Sequence, residues 1–518
     1  MTKISLFLTF LISFLWNAQS PPAIQWQRTL GGSNWDQGHS VWATTDGGSI
    51  IASYSPSTDG NVTGNHGNGD YWVAKLDNSG NIQWQKSLGG SNYDMPHEIQ
   101  QTSDGGYIVV GESSSIDGDV TGHHDVAGTY SDYWVVKLSS VGIIQWQKSI
   151  GGSSMDIAQT ITETTDGGYI IAGSSSSTDG DAIGHLPYNN TDLWVVKINS
   201  TGNIIWQKSF GGYSTEVAYS IKQTSDGGYV VAGSTSSNSG DVTSLYGEND
   251  YWILKLDTVG NLQWQKTYGG SYNDSVTSIQ QTSDGGYIIA GSSQSHDYDV
   301  TFHYGSPINY DAWIVKLNAF GYIQWQKTLG GTGGENANSI QQLSDGGYIF
   351  AGVSSSTDGD ATGNPSAGGN FWIVRLNPFG NVLWQKSIGG SNGDIAKSIK
   401  KTSDGGFIIA GSSYSNNGDV TLHYGNLTYP DIWVVKLGPE VLSTNESKHE
   451  NFTIYPNPAT DKLFVSGLSS DEAYEIYSLT GQKLKNGKTL EYSLDVKDLK
   501  KGIYFIEIKK KKQKFIKK

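Results

Sequence analysis

Residues 97–149 read HEIQQTSDGGYIVVGESSSIDGDVTGHHDVAGTYSDYWVVKLSSVGIIQWQKS and contain four short runs of strand-forming residues. Val, Ile, Tyr and Trp dominate the runs, and Gly, Asp and Ser separate them, as is typical of β-strands joined by turns. The Ser-Asp-Gly-Gly segment predicts a tight hairpin, because glycine supplies the positive φ that such turns need. We therefore predict four antiparallel strands, labelled A to D in chain order, at 97–102, 107–111, 133–138 and 143–149.

This four-strand pattern recurs seven times along the chain, so the repeat is the main feature of the sequence. A Trp-Gln-(Lys/Arg) motif in strand D returns every 58 to 62 residues. Its tryptophans are Trp26, Trp84, Trp146, Trp206, Trp264, Trp325 and Trp384. A second tryptophan recurs in strand C, at Trp72, Trp134, Trp194, Trp252, Trp313, Trp372 and Trp433.

The two ends of the repeat array indicate how the array closes. The chain enters at a D-type strand, residues 24–30, and leaves after a C-type strand, residues 433–437, which no D-type strand follows. The N-terminal strand therefore fits as the outer strand of the last unit, which would join the ends without an open seam. We predict an all-β fold: a seven-bladed β-propeller over residues 21–437 with this 3+1 closure. The alternative is a solenoid, which would need capping repeats with polar outer faces.

The repeat resembles the blades of the tryptophan-aspartate-repeat and quinoprotein-type propellers in its order of strands. The resemblance is one of architecture and covers roughly residues 24–437. It implies that strand A lies innermost and strand D outermost. The Gly-His and Trp-Asp signature of the first family and a quinone-binding constellation are both absent from the sequence.

The repeated tryptophans are expected to pack between neighbouring units. A large ring at the same strand position in every unit is what such packing needs, whereas the alternative is stacking on carbohydrate rings. In the first strand C, Trp72, Ala74 and Leu76 alternate with Val73, so the two sets face opposite sides of the sheet. The sequence therefore favours a structural role for the rings.

A cation recurs near the end of strand C, as Lys75 in the first repeat and Arg375 in the sixth. A repeated ion pair explains such a cation better than a reactive amine does. The acid that precedes each C-strand tryptophan, such as Asp70, is the expected partner, although Asn370 breaks that series.

The D–A and B–C loops lie at the same end of each unit and are longer than the turns at the other end. Loops of this kind are the better candidate for binding. The D–A loop carries an acid in every repeat: Asp36, Asp94, Asp156, Glu216, Asp274, Glu335 and Asp394. With strand A innermost, these carboxylates would ring the channel mouth and attract cations. The alternative is that each acid accepts backbone N–H bonds within its own loop.

The B–C loops carry Asp-x-Asp pairs, which place oxygen ligands close together as calcium loops do. The candidate Ca²⁺ ligands are Asp117, Asp119, Asp179, Asp181, Asp297 and Asp299. A histidine that follows each pair, such as His124 or His303, would add a nitrogen ligand for a transition metal. The alternative is an ordinary turn, because none of these loops completes an EF-hand pattern.

The net charge and the N-terminal residues indicate which partners and which cellular location are compatible with the protein. A net charge of −15 argues against a nucleic-acid partner, and the absence of Cys excludes disulfides and thiol catalysis. Residues 1–20, MTKISLFLTFLISFLWNAQS, have the pattern of a secretory signal peptide: a lysine, a short apolar run and small residues near a cleavage point. The alternative, a membrane anchor, would need an apolar run of roughly 20 residues.

The composition changes after the last repeat. Residues 438–451 are polar and predict a linker, and residues 452–518 combine short strands with turn signals, which predicts a small β-sandwich. This C-terminal segment is similar to the type A C-terminal sorting domain of the type IX secretion system. The matching residues are Tyr455, Pro456, Asn457, Pro458, Gly481, Gly502 and Tyr504, followed by a basic end.

The resemblance implies export across the outer membrane of a Bacteroidota-type bacterium by the type IX machinery. It also implies removal of this domain, after which the body is released or attached to surface lipopolysaccharide. The alternative is an ordinary adhesion module with a solvated lysine tail.

No catalytic residue stands out, because almost every polar position recurs, whereas an active site normally breaks the symmetry of its scaffold. We therefore expect a secreted or cell-surface protein that is not an enzyme and binds a glycan or protein ligand. The alternative is an extracellular polysaccharide lyase or hydrolase, which two acids on different units, roughly 5–9 Å apart in an open channel, would favour.

Overall fold

The computed structural model describes residues 20–184, 190–364, 366, 368–440, 452–466, 468, 470–479, 481–509 and 511–518. The chain divides into two compact units, Met1–Val441 and Leu442–Lys518. The described residues are all-β and include no helix, hence none long and apolar enough to span a membrane. The expected signal peptide lies outside the described residues except at residue 20, and so does the expected linker beyond residue 440.

The first unit consists of β1 (Ile24–Leu30) and six consecutive groups of four strands, followed by a group of three. Sheet 1 has β2 (Gln37–Ala43), β3 (Ser49–Ser55), β4 (Asp70–Leu76) and β5 (Ile82–Leu88). Sheet 2 has β6 (Asp94–Gln101), β7 (Tyr107–Ser113), β8 (Asp132–Leu138) and β9 (Ile144–Ile150). Sheet 3 has β10 (Asp156–Glu163), β11 (Tyr169–Ser175), β12 (Asp192–Ile198) and β13 (Ile204–Phe210). Sheet 4 has β14 (Glu216–Gln223), β15 (Tyr229–Thr235), β16 (Asp250–Leu256) and β17 (Leu262–Tyr268).

The remaining sheets follow the same order of strands. Sheet 5 has β18 (Asp274–Gln281), β19 (Tyr287–Ser293), β20 (Asp311–Leu317) and β21 (Ile323–Leu329). Sheet 6 has β22 (Glu335–Gln342), β23 (Tyr348–Ser354), β24 (Asn370–Leu376) and β25 (Val382–Ile388). Sheet 7 has β26 (Asp394–Lys401), β27 (Phe407–Ser413) and β28 (Asp431–Leu437), and β1 is its fourth strand. Repeated antiparallel sheets of four strands give the unit a propeller-like architecture.

Strand β1 is the outer strand of sheet 7, although it lies at the opposite end of the unit in sequence. It pairs antiparallel with β28, with Arg28 opposite Val434 and Leu30 opposite Ile432. The first strand of sheet 1 also contacts sheet 7: the Gly38 N–H donates to Ser412 Oγ at 3.2 Å, and Ser398 Oγ donates to Val41 O at 3.3 Å. The first and last sheets are therefore neighbours.

Each apolar core lies between two adjacent sheets. The C-strand tryptophan faces one neighbour and the residues beside it face the other: Trp72 packs with Ile408 and Val434 of sheet 7, whereas Val73 packs with Val109 and Trp134 of sheet 2. All seven C-strand tryptophans are fully buried, and each Nε1 donates to a glutamine Oε1 of the adjacent D-type strand. The structural interpretation of these rings is confirmed.

The recurring C-strand cation forms an ion pair in every sheet, as expected, but the expected partner was wrong. Lys75 Nζ lies 2.9 Å from Asp46 Oδ2, in the A–B turn, and not beside Asp70. The other pairs are Lys137–Asp104, Lys197–Asp166, Lys255–Asp226, Lys316–Asp284, Arg375–Asp345 and Lys436–Asp404. Asp70 begins strand C and Lys75 lies five residues later, so they are at opposite ends of an extended strand of roughly 3.3 Å per residue.

The turn aspartate Asp46 is accordingly held as a carboxylate. Burial would raise the pKa of Asp46, but the hydrogen bond from Thr44 and the contact with Lys75 lower it to about 2. Gly47, in the same turn, has a φ of 85°, which is why glycine is needed there. The ion pair thus ties the A–B turn to the end of strand C in each sheet.

The second unit has two sheets around one core. One sheet contains β29 (Thr453–Tyr455), β30 (Lys462–Ser466) and β33 (Ser493–Asp495). The other contains β31 (Ala473–Ser478), β32 (Lys483–Lys488), β34 (Gly502–Ile508) and β35 (Lys511–Lys517). Leu463 and Leu494 of the first sheet pack with Ile476, Ile506 and Phe515 of the second. The unit therefore has its own hydrophobic core.

Candidate functional site

A cavity of about 310 Å³ is lined by residues from the first strand of all seven sheets. The first strand of every sheet carries a β-bulge opposite its second strand, at the residue three positions after the D–A loop acid. A bulge breaks the in–out alternation of a strand, so that two consecutive residues point to the same side. In β6, His97 and Glu98 therefore both line the cavity.

Two of the lining positions differ from repeat to repeat. The bulge residues are His39, His97, Gln159, Tyr219, Thr277, Asn338 and Lys397. The residues three positions further on are Trp42, Gln100, Thr162, Lys222, Gln280, Gln341 and Lys400. By contrast, the D–A loop acid is Asp or Glu in every repeat, and a tryptophan occupies the same C-strand position in all seven. The symmetry of the repeat therefore breaks at the cavity.

Glu98 is the one carboxylate among the described residues that line this cavity. Its Oε1 lies 3.3 Å from Lys222 Nζ, and its Oε2 accepts hydrogen bonds from Thr160 Oγ1 at 2.6 Å and from the Ile161 N–H at 2.9 Å. Burial would raise the pKa of Glu98, but the charges of Lys222 and Lys400 and these hydrogen bonds lower it. Glu98 is therefore held as an anion.

Two further lysines line the cavity on sheet 7. Lys400 Nζ lies 4.9 Å from the centre of the Trp42 ring, and burial together with repulsion from Lys222 lowers its pKa to about 8. Burial also lowers the pKa of Lys397. On the first strands of sheets 1 and 2, the His39 and His97 rings meet edge to face at 5.6 Å. The lining thus holds three lysines against one carboxylate.

The seven D–A loop acids are buried and are not exposed in a ring at a channel mouth. Each accepts the N–H of the second glycine of its Gly-Gly pair at 2.6–2.9 Å; the acids are Asp36, Asp94, Asp156, Glu216, Asp274, Glu335 and Asp394. Hydroxyl groups at the end of strand B also donate to them, as Ser115 Oγ does to Asp94 at 2.9 Å. The polar groups of the loop surround each acid, which removes it from solvent.

A second buried polar residue, at the start of strand C, faces D–A loop acids across a glycine; it is an acid except beside Asp394, where it is Asn370. A Cβ atom placed on Gly89 would lie 2.4 Å from Asp94 Oδ2 and 2.9 Å from Asp70 Oδ1. Burial and the nearby Asp274 carboxyl raise the pKa of Asp250 to about 7, although one backbone hydrogen bond lowers it. Burial and the nearby Glu335 carboxyl raise the pKa of Asp311 to about 7 in the same way. Burial and Asp36 raise the pKa of Asp431 to about 8. These carboxyl groups therefore titrate near neutral pH.

We expect the melting temperature to fall as the pH rises from about 5 to about 8. The folded protein keeps protons on these carboxyls that the unfolded chain, with a carboxyl pKa of 3.8, has already released. The contribution of these protonated carboxyls to the free energy of unfolding is therefore fully present near pH 4 and is lost as the pH rises through the raised pKa values. Calorimetry should show a melting temperature about 5 °C higher at pH 5 than at pH 8.

Asp431→Asn should reduce this pH dependence, because sheet 6 has an amide, Asn370, at the same position. Asp46 and Asp104, whose pKa values are lowered to about 2, titrate below this range and leave the result unaffected. A melting temperature that increases from pH 5 to pH 8 would refute the assignment.

The Asp-x-Asp acids of the B–C loops bond to the neighbouring D–A loop. The first acid accepts the N–H that follows the Gly-Gly pair: Asp117 from Ser91 at 2.7 Å, Asp179 from Ser153 at 2.7 Å and Asp297 from Ser271 at 2.8 Å. Asp119 and Asp299 lie 3.3 and 3.4 Å from the N–H of the first glycine, and Asp181 lies 3.3 Å from His124 Nε2. The described residues contain no group of three or more His, Asp or Glu side chains placed to hold a metal ion. Calcium binding here stays a prediction.

The loop histidines also have protein partners. His66 Nδ1 and His124 Nδ1 each lie 2.7 Å from the buried acid that begins strand C, Asp70 and Asp132 respectively. His303 and His423 face the equivalent acids at 3.6 and 3.0 Å. These four histidines therefore lie beside the acids that begin strand C. His185, the remaining candidate, is outside the described residues.

The residues of the expected sorting signal lie near the edges of the second unit. Asn457 Oδ1 accepts the Ile516 N–H at 2.9 Å and Asn457 Nδ2 donates to Lys514 O at 3.1 Å, which ties the Tyr455–Pro458 segment to β35. Both proline peptide bonds in that segment, to Pro456 and to Pro458, are cis. The Tyr455 ring stacks on Phe464 at 5.7 Å.

The other sorting-signal residues lie in a turn and in β34. Gly481 has a φ of 81° in the turn between β31 and β32, a conformation that favours glycine. Gly502 begins β34, and the Tyr504 hydroxyl donates to Lys500 O at 2.8 Å. The signal is therefore part of a folded unit.

Comparison with known proteins gives a family for the second unit only. Residues 453–518 match the family model of the secretion system C-terminal sorting domain. The regulatory protein FlaEY of Caulobacter vibrioides is 23% identical over 297 residues, which cover 55% of this chain and 30% of that protein. Beta-agarase D of Zobellia galactanivorans is 41% identical over 61 residues, which cover 12% of this chain and 13% of that protein. The chain thus spans under a third of either curated relative.

Among solved structures, YCF48 from Cyanidioschyzon merolae aligns at 10% identity with a TM-score of 0.41, covering 81% of this chain and all of that chain. The match of residues 453–518 to the sorting-domain family indicates that the protein is secreted or exported to the cell surface. It also implies an interaction with the type IX secretion machinery.

Proposed function

We propose that residues 21–437 form a closed seven-bladed β-propeller that binds an extracellular glycan in its central cavity without converting it. The observation that carries this proposal is the distribution of differences among the repeats. Residues that hold the sheets together recur, whereas the cavity-lining residues vary from repeat to repeat. Variation among residues that face one concave surface is what a binding site on a repeated scaffold requires.

Ring closure is supported by the contacts between the first and last sheets. Strand β1 completes sheet 7, and one buried core contains Val41 and Trp72 of sheet 1 together with Ile408, Ile432 and Val434 of sheet 7. A ring closed in this way leaves no unpaired edge at the seam. The cavity, to which every sheet contributes, is then the axis of the ring.

We propose that the protein is not an enzyme because of which side chains line the cavity. Hydrolysis of a glycosidic bond uses two carboxyl groups, roughly 5–10 Å apart. Among the described lining residues only Glu98 supplies one, and Lys222 and Thr160 already engage it. The match to beta-agarase D covers 13% of that enzyme and does not bring its activity to this chain.

The C-terminal sorting unit is the basis for proposing where in the cell the protein acts. We infer that a Bacteroidota-type bacterium exports the chain, removes residues 452–518, and releases the propeller or attaches it to the outer surface. In that setting the ligand is an extracellular polymer or a fragment of one. The proposal includes binding of Ca²⁺ by the Asp-x-Asp acids of the B–C loops.

Thermal melting of the purified protein against a panel of oligosaccharides, with Ca²⁺ and then with EDTA, tests this function. A ligand at 100 times its dissociation constant adds about 2.7 kcal/mol to the free energy of unfolding. We expect one glycan class to raise the melting temperature and to be recovered intact by chromatography. Shortened or unsaturated products would instead identify an enzyme, and stabilisation by proteins alone would identify a protein ligand. Loss of the effect in EDTA would place a metal ion in the site.

A further inference from the structure

We propose that the cavity is an oxyanion site, which binds the carboxylate or sulfate group of a ligand of about monosaccharide to disaccharide size. The proposal rests on the proposed function and specifies the chemical class of its ligand. The cavity volume of about 310 Å³ lies at the lower end of the range for small-molecule sites, roughly 300–1,000 Å³.

The first argument is an excess of positive charge, because three lysines share one carboxylate. Glu98 pairs with Lys222, which leaves Lys397 and Lys400 with no hydrogen bond or ion pair among the described residues. Burial lowers the pKa of each lysine; in Lys400 the repulsion from Lys222 adds to this effect and the charge of Glu98 opposes it in part. A bound anion would offset part of that penalty, because an opposite charge nearby favours the charged form of a lysine. The excess is also local, since the whole chain carries a net charge of −15.

The second argument is an unsatisfied hydrogen-bonding group on the same side of the cavity. The buried His39 Nε2 has no hydrogen-bond partner. Burial, and then the nearby His97 and Lys397, lower the pKa of His39 well below its usual value, so the ring is neutral and carries one N–H. A neutral imidazole with a free nitrogen is suited to bonding an oxygen of a ligand.

The third argument is that these groups converge. His39 and Trp42 belong to β2, and Lys397 and Lys400 belong to β26. The two strands are adjacent, as the 3.3 Å hydrogen bond from Ser398 Oγ to Val41 O shows. The lysines, the imidazole and the indole face therefore meet where sheets 7 and 1 adjoin.

The test compares glucuronate, inorganic sulfate and glucose as probes by titration calorimetry, at pH 7 and constant ionic strength, on the full chain. Glucuronate and glucose differ in one carboxylate, so a preference between them measures the oxyanion contribution directly. The cavity variant is Lys397→Asn with Lys400→Gln, because sheet 6 already has Asn338 and Gln341 at these positions. The matched control is Lys401→Gln, on the exposed side of the same strand, where sheet 6 has Gln342.

We expect glucuronate to bind at least 10-fold more tightly than glucose, and sulfate to compete with it. The double variant should weaken glucuronate binding at least 10-fold and Lys401→Gln should not change it. Equal affinity for glucose, no binding of either anion, or an unaltered affinity in the double variant would each overturn the proposal. If the oligosaccharide panel yields a ligand that the double variant binds normally, the proposed function survives and the oxyanion site does not.

Discussion

Deletion of residues 453–518 is expected to keep the protein from reaching the medium or the outer surface. These residues match the sorting-domain family, and they fold around a core of their own that includes Leu463 and Ile476. The export signal therefore resides in a separate unit. Fractionation and immunoblotting of a bacterium that has a type IX system should find the truncated chain inside the outer membrane, with less than about a tenth of the usual amount outside.

Two comparisons make this result specific to sorting. The truncated body should melt within about 2 °C of the full chain's first-unit transition, because no first-unit strand is removed. A reporter protein that carries residues 438–518 at its C-terminus should be exported. Normal amounts of truncated protein outside the cell would show that the export signal is elsewhere.

Removal of β1 is expected to lower the free energy of unfolding of the first unit by about 3–6 kcal/mol. The estimate counts Leu30 and Trp26 alone, at roughly 1.5–3 kcal/mol for each apolar side chain withdrawn from water. Leu30 packs in the core between sheets 7 and 1, and Trp26 Nε1 donates to Asn78 O at 2.9 Å. The deletion also exposes the edge of β28, which invites aggregation.

Urea unfolding of a chain that begins at Gly31, beside one that begins at Pro21, measures this loss. Gln25→Ala is the control, because Gln25 lies in β1 but its side chain is exposed. We expect the control to change the unfolding midpoint little. An unchanged midpoint in the chain without β1 would mean that the strand contributes nothing to the fold.

The strands were predictable because their alternation and turn signals are local. The second repeat illustrates this: strands expected at 107–111 and 133–138 are Tyr107–Ser113 and Asp132–Leu138 in the structure. The partner of Lys75 was missed although it could have been deduced. Strand C ends at the same end of the sheet as the A–B turn, so Asp46 is within reach and Asp70 is not.

The cavity was not predicted, because the positions that recur in every repeat are those that hold the sheets together. The informative signal was a strand position that varies between repeats: His39, His97, Gln159, Tyr219, Thr277, Asn338 and Lys397. The bulge that brings both His97 and Glu98 to the cavity leaves no local trace in the sequence. The D–A loop acids were predictable in part: the alternative in which each acid accepts backbone N–H bonds within its own loop is the one found, as for Asp94 and Gly90.

The most direct test of the closed ring is a disulfide between its first and last strands. The chain has no cysteine, so Arg28→Cys with Val434→Cys introduces the only pair. These residues are opposite each other in the β1–β28 pairing, at a Cα separation of roughly 4.5–5.5 Å, which suits a disulfide. Closure predicts that mild oxidation converts the double variant to a monomer without free thiols that migrates faster on a non-reducing gel, while the single variants remain unchanged. Free thiols in the folded protein, or disulfide-linked dimers in place of the monomer, would contradict the closed ring.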